Sequence, residues 1–161
     1  MSPVSKETLK ALTTGINSEI ASYVFYLEAS KKQAASKVKS ILEELALEEK
    51  RHFQVLEKQH NSLIKSEQWI SIADVLKSKD LPEISEDMSS VHRQLIDEVR
   101  KTTTIGAILD IAYRLEVEAF ELFNAQEKKS ESDEGRQIFR ELARFEQGHM
   151  RKIEDMRKQY A

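Results

Sequence analysis

Apolar residues recur at spacings of three and four along four long stretches of the chain, the signature of amphipathic helices. The first stretch covers about 5–33, with Leu9, Leu12, Ile16, Ile20, Tyr23 and Leu27 on one stripe. The second covers about 36–63, with Ser36 as its N-cap and Ile41, Leu45, Phe53 and Leu56 on its stripe. The third runs from about Thr104 to Lys129, and the fourth from Asp133, read as its cap, to about Gln159. At 1.5 Å per residue each is about 40 Å long. Only a few residues join the first stretch to the second, and the third to the fourth, so each pair forms an antiparallel hairpin. Between the hairpins, Trp69, Ile72, Val75 and Leu76 suggest a short helix, Lys79-Asp80-Leu81-Pro82 a turn, and Met88 to Arg100 one further helix. This predicts an all-α fold: a four-helix bundle of hairpins 5–63 and 104–160, joined by a long crossover, 64–103, between helices two and three. The whole chain, 1–161, reads as a single domain.

Composition sharpens the picture in three ways. Charged residues make up 33% of the chain, with only four glycines and two prolines, so helix formers abound and breakers are scarce. The net charge of −3 and the lack of a basic block argue against nucleic acid as a partner. The absence of cysteine rules out disulfides, iron–sulfur clusters and thiol nucleophiles within this chain. The start, 1–7, is polar and has no apolar core of a secretory signal, and no apolar run is long enough for a bilayer. A cytoplasmic protein without a membrane partner is expected.

The two hairpins repeat one another. Leu45-Ala46-x-x-Glu49-x-x-His52 recurs as Leu142-Ala143-x-x-Glu146-x-x-His149, an offset of 97 positions. The same offset takes Glu19 to Glu116, Ile16 to Tyr113, Tyr26 to Phe123, Ile41 to Ile138 and Glu44 to Glu141. Thirty positions separate Glu19 from Glu49, and thirty separate Glu116 from Glu146. Residues three apart project from one helix face, so each Glu-x-x-His pair points the same way. Glu49 lies four beyond Leu45, Glu146 four beyond Leu142, Glu19 three beyond Ile16, and Glu116 lies among Leu109, Ala112, Phe120 and Phe123. All four carboxylates therefore face the core.

Buried carboxylates repel one another and lose hydration, and no lysine or arginine on these stripes pairs with them. Two divalent cations neutralise four glutamates charge for charge, and His52 and His149 complete the donor set as neutral imidazoles. Carboxylate with imidazole suits iron, manganese or zinc. An isolated Glu-x-x-His is usually a solvated pair on a helix surface; here it is doubled, equally spaced and on the apolar stripe. His60 and His92 lack such partners and read as surface residues, as do Glu43, Glu44, Glu48, Glu118, Glu121 and Glu141. Tyr23, Tyr26 and Tyr113 read first as core residues, but they stand close enough to the glutamates to hydrogen-bond a ligand or bound oxygen.

These motifs resemble the rubrerythrin-like branch of the ferritin-like superfamily. The resemblance covers 8–63 and 104–156 and implies a ferritin-like bundle with two irons. It implies that Glu19 and Glu116 are terminal ligands, that Glu49 and Glu146 bridge, and that His52 and His149 each cap one metal. Members react with dioxygen or hydrogen peroxide, and many are dimers, so a homodimer active against oxidative stress is expected. The rubredoxin domain of full-length rubrerythrins needs four cysteines, so the resemblance implies a separate electron donor here. The extra glutamate usual three positions after the third-helix ligand is replaced by Ala119. The methionine that binds haem in bacterioferritins is replaced by Lys50, so no haem is expected. The chain ends at Ala161 with no fifth helix, which disfavours a storage cage. The resulting expectation is a di-iron oxidoreductase of ferroxidase or peroxidase type. The alternatives are an iron-binding or storage protein with little turnover, an interaction module with an inert metal site, and an oxygenase, for which no organic substrate is legible.

Overall fold

The computed structural model of the chain describes residues 4–34 and 36–161, and so only part of the polar start read above. Seven helices account for most of these residues: α1 (Lys6–Lys31), α2 (Lys37–Ser66), α3 (Ile72–Lys77), α4 (Glu86–Ser90), α5 (Arg93–Lys101), α6 (Ile105–Lys129) and α7 (Asp133–Tyr160). The described residues contain no strand, and none of their helices is long and apolar enough to cross a membrane.

The four long helices start where side-chain oxygens meet the unpaired N–H groups of a first turn. Ser5 accepts from Thr8 N, Ser36 from Lys39 N, Thr104 from Ala107 N and Ser132 from Gly135 N. The cap of α7 is thus Ser132 rather than Asp133, which becomes a first-turn acid favoured by the helix dipole. Helix α2 runs past Leu63 to Ser66, so the crossover is 67–104. Glu67, in the left-handed conformation at φ 58°, ends α2 by donating its N–H to the Leu63 carbonyl.

Helix α1 packs along α2, and α6 along α7. Helices α1 and α6 approach closely, whereas α2 and α7 touch little. Gly15 permits that approach, since a β-carbon there would lie 3.0 Å from Phe123 Cε1. The most buried face of α1 passes through Leu12, Gly15, Glu19, Ser22, Tyr26 and Ala29, while Leu9, Ile16, Tyr23 and Leu27 flank it half-buried. The small or polar Gly15, Glu19 and Ser22 thus share the innermost line of this helix with Leu12 and Tyr26. Two clusters fill the bundle on either side of that line's polar centre. One gathers Phe25, Leu42, Leu45, Leu109 and Ile153, and the other Leu12, Leu56, Phe123, Phe139 and Leu142.

The crossover runs along the bundle. At its start the Gln59 amide both accepts from Ile70 N, at 2.9 Å, and donates to Ile70 O, at 2.5 Å, while Trp69 stands edge-on to Phe139. Midway, Gln54 donates to the Pro82 carbonyl at 3.1 Å, and Lys50 pairs with Glu83. At its end Lys32 Nζ donates to the carbonyls of Val99 and Arg100, both at 2.9 Å, and of Thr102. A cation thereby sits at the negative dipole end of α5, where Val99 O also accepts from Thr102 N. The one helix expected over 88–100 is two, α4 and α5, interrupted at Val91–His92. Ser85 caps the first, and Val91 itself is highly exposed, so no apolar contact holds the pair in line.

Candidate metal centre

Midway along the bundle, Glu19 of α1, Glu49 and His52 of α2, Glu116 of α6, and Glu146 and His149 of α7 converge. All four carboxylates are at 0% exposure, and the two imidazoles are also buried. Among the described residues, the ion pairs of these glutamates are with the two histidines alone. His52 Nδ1 lies 2.9 Å from Glu146 Oε1, 3.5 Å from Glu19 and 3.8 Å from Glu49. His149 Nδ1 lies 2.6 Å from Glu49 Oε1, 3.3 Å from Glu116 and 3.6 Å from Glu146. The two rings stack, with centroids 5.6 Å apart.

These contacts do not satisfy the cluster. Both oxygens of Glu19 and of Glu49, one each of Glu116 and Glu146, and His149 Nδ1 are buried with no aligned hydrogen-bond partner. Such groups destabilise a core unless something pairs with them. The donor atoms fall into two quartets, Glu19, Glu49, His52 and Glu146, and Glu49, Glu116, Glu146 and His149, each within 4.8 Å. Glu49 and Glu146 belong to both. Oxygen with imidazole nitrogen is the donor chemistry of first-row divalent cations. The residues present fit such ions, and the clusters are able to hold metal.

Protons take the place of cations in the chain by itself. Burial pushes the Glu19 carboxyl well above its ordinary range, and the nearby Glu146 and Glu49 charges push it further. Burial raises Glu116 as well, with the same two neighbours adding to it. Burial and the charge of Glu146 also work to raise Glu49, but a hydrogen shared with Glu19, and those of His149 and His52, prevail and hold it at about 2. Glu146 is likewise lowered, because hydrogen bonds with Glu116 and His149 and the His52 charge outweigh burial. His52 resists charging through burial, yet Glu146 and then Glu49 raise it to about 9. His149 is raised against burial by Glu116, Glu146, Glu48 and Glu49.

Two residues support the cluster from outside. Tyr26, fully buried, donates its hydroxyl to Glu116 Oε1 at 2.6 Å. Glu48 Oε2 accepts from His149 Nε2 at 2.5 Å, which corrects its reading as part of a solvated face. Of the three tyrosines expected near the ligands, only Tyr26 hydrogen-bonds one among the described residues. Tyr23 packs against the core, and Tyr113 lies under the Arg157 guanidinium, 4.8 Å from its ring centroid. Ala119 is buried in the apolar cluster beside Phe123, so a methyl occupies the place three residues beyond Glu116. Neither His60 nor His92 joins the centre; both are half-buried elsewhere.

Hairpin pairing, the crossover and a carboxylate–histidine cluster at mid-bundle define a ferritin-like helical bundle built around a site able to hold metal. The family model described as Rubrerythrin matches residues 10–106, more than half of the chain, and the chain belongs to that family. The matched span carries Glu19, Glu49 and His52; Glu116, Glu146 and His149 lie beyond it, in the second half of the repeat. Neither a curated protein nor a solved structure matches the chain.

Proposed function

We propose that the chain is a di-iron oxidoreductase of ferroxidase or peroxidase type. The observation that carries this reading is the pair of buried quartets sharing Glu49 and Glu146. In this reading Glu19, Glu49, His52 and Glu146 would hold one iron, and Glu49, Glu116, Glu146 and His149 the other. Iron held there would supply the electrons for reducing dioxygen or hydrogen peroxide. The chain supplies the rest. Four glutamates balance the charge of two divalent ions, Tyr26 orients Glu116, and Glu48 fixes the ring of His149. The apolar clusters on either side would shield the centre from water along the bundle axis. With no cysteine in the chain, re-reduction falls to a separate electron donor. Membership of the rubrerythrin family supports the iron assignment over manganese or zinc.

The test is elemental analysis after anaerobic ferrous loading, with Glu49→Ala in parallel, followed by exposure to dioxygen and to peroxide. Two irons per chain, lost in the variant and oxidised on exposure, are expected. Many irons per chain, or two that resist oxidation, would move the assignment to storage or carriage. No bound transition metal would end the dinuclear reading.

A further inference from the structure

The internal repeat is symmetric in its donors but not in what stands behind them. The offset of 97 positions that pairs His52 with His149 also pairs Glu48 with Phe145, and Tyr26 with Phe123. Glu48 and Phe145 occupy equivalent places, each against the histidine of the other hairpin. Glu48 accepts from His149 Nε2 at 2.5 Å, whereas the Phe145 ring lies on His52 with centroids 5.1 Å apart. Tyr26 donates to Glu116 at 2.6 Å, whereas its counterpart Phe123 has no hydroxyl to offer Glu19. Both oxygens of Glu19 accordingly lack a partner. Among the described residues no acceptor meets Nε2 of His52; its one hydrogen bond is made by Nδ1 to Glu146.

Every polar support thus falls on the Glu116–His149 side, and both equivalents on the Glu19–His52 side are phenylalanines. The spacing of the helices adds to this. A cavity of about 250 Å³ opens between α2 and α7, lined by Glu48, His52, Val55, Ile72, Leu142 and Phe145 among others. Of the two ligand histidines only His52 borders it; from the other position it is Glu48, the partner of His149, that reaches the cavity.

We propose that the two metal positions are unequal: the Glu116–His149 position, positioned by Glu48 and Tyr26, binds first and holds its ion, while the Glu19–His52 position, backed by phenylalanine and next to the cavity, binds second and exchanges. The physical cause is orientation. With Nε2–H held by the Glu48 carboxylate, the lone pair of His149 sits on Nδ1, which faces Glu49 and Glu116. His52 must select tautomer and ring angle on binding, and Glu19 must be ordered at the same moment. Loss of one such supporting partner ordinarily weakens metal binding about 10–100-fold, so a difference of at least that order is expected between the positions.

This inference rests on the dinuclear reading above. The experiment is titration of the metal-free full chain with cobalt(II), followed by calorimetry and by the visible absorption of the bound ion. Two resolved steps of one ion each are expected, with Kd values at least about 10-fold apart. Glu48→Ala should weaken the tighter step by about 10–100-fold and alter the absorption of the first ion, and Glu48→Gln, which keeps an acceptor, should restore part of it. Phe145→Glu should instead tighten the weaker step, and it carries the test alone if Glu48→Ala does not fold. Two indistinguishable steps, or steps that neither variant changes, overturn the inequality and leave the dinuclear site standing. No cobalt bound at all overturns both.

Discussion

Stripped of metal, the chain should lose stability as pH rises from about 6.5 to about 9. His52 sets the window: its ordinary value is 6.5, and in the fold it is raised to about 9 by Glu146 and Glu49 against the effect of burial. A base raised by folding binds its proton more tightly in the native chain. Its contribution is therefore complete below 6.5 and gone above 9. The difference corresponds to ~3 kcal/mol, against a total stability of roughly 5–15 kcal/mol for a typical domain. His149 is raised and acts in the same direction. Glu19 and Glu116 are also raised, so the folded chain holds their protons above the ordinary 4.5 and loses stability as they are removed. Glu49 and Glu146 are lowered; their contribution is fully present above 4.5 and gives no slope in this window. A bound divalent cation inverts the trend, because protons then compete with it for the same six side chains. The assay is urea unfolding followed by circular dichroism, across pH 6.5–9, in excess chelator and again with saturating metal. Chelated protein whose stability stays flat or climbs across the window would refute the electrostatic account of the cluster.

Two further perturbations separate the centre from its scaffold. Tyr26→Phe removes the hydroxyl that meets Glu116 at 2.6 Å and leaves a buried carboxyl oxygen unpartnered, at a cost of about 1–3 kcal/mol in urea unfolding of the metal-free chain; an unchanged midpoint would mean that Glu116 finds another donor. Gln59→Ala deprives the Ile70 backbone of both its partners, so amide exchange at Ile70 should quicken and stability drop by about 1–3 kcal/mol. Exchange as slow as in the parent chain would show that Trp69 and α3 hold the crossover unaided.

The long helices were legible because each combines a stripe of large apolar residues with a side-chain cap. Those stripes located the ligand-bearing faces to within about a residue. They were less informative on α1, where Gly15, Glu19 and Ser22 share the innermost line with Leu12 and Tyr26, and Leu9, Ile16, Tyr23 and Leu27 of the stripe only flank it. The interval of thirty between glutamate and Glu-x-x-His, met twice, anticipated which six side chains converge. What escaped were contacts made across large sequence distance by residues with no pattern of their own. Glu48 meets His149 from the opposite hairpin, and Gln54, Gln59 and Lys32 bind backbone oxygens of the crossover. A polar residue that seeks a carbonyl leaves no periodic trace. Comparing the repeat at its mismatches would have flagged Glu48, since its counterpart is Phe145 while the residues beside both are identical glutamates. The break at Val91–His92 was hidden for another reason: short helices draw most of their stability from what they pack against, not from local propensity.

Each quartet takes three donors from one hairpin and a single one from the other. A cation held there is therefore a tie between the two halves of the chain, closing a span of 97 positions between Glu49 and Glu146 much as a covalent staple would. Without it the halves are joined by packing and by a few side-chain hydrogen bonds around a cluster of carboxyls. Opening of the bundle, and with it attack by proteases, would then become more frequent when metal is scarce. The abundance of the protein in a cell would then track its metal supply, with no regulator needed beyond the proteolysis that removes opened chains.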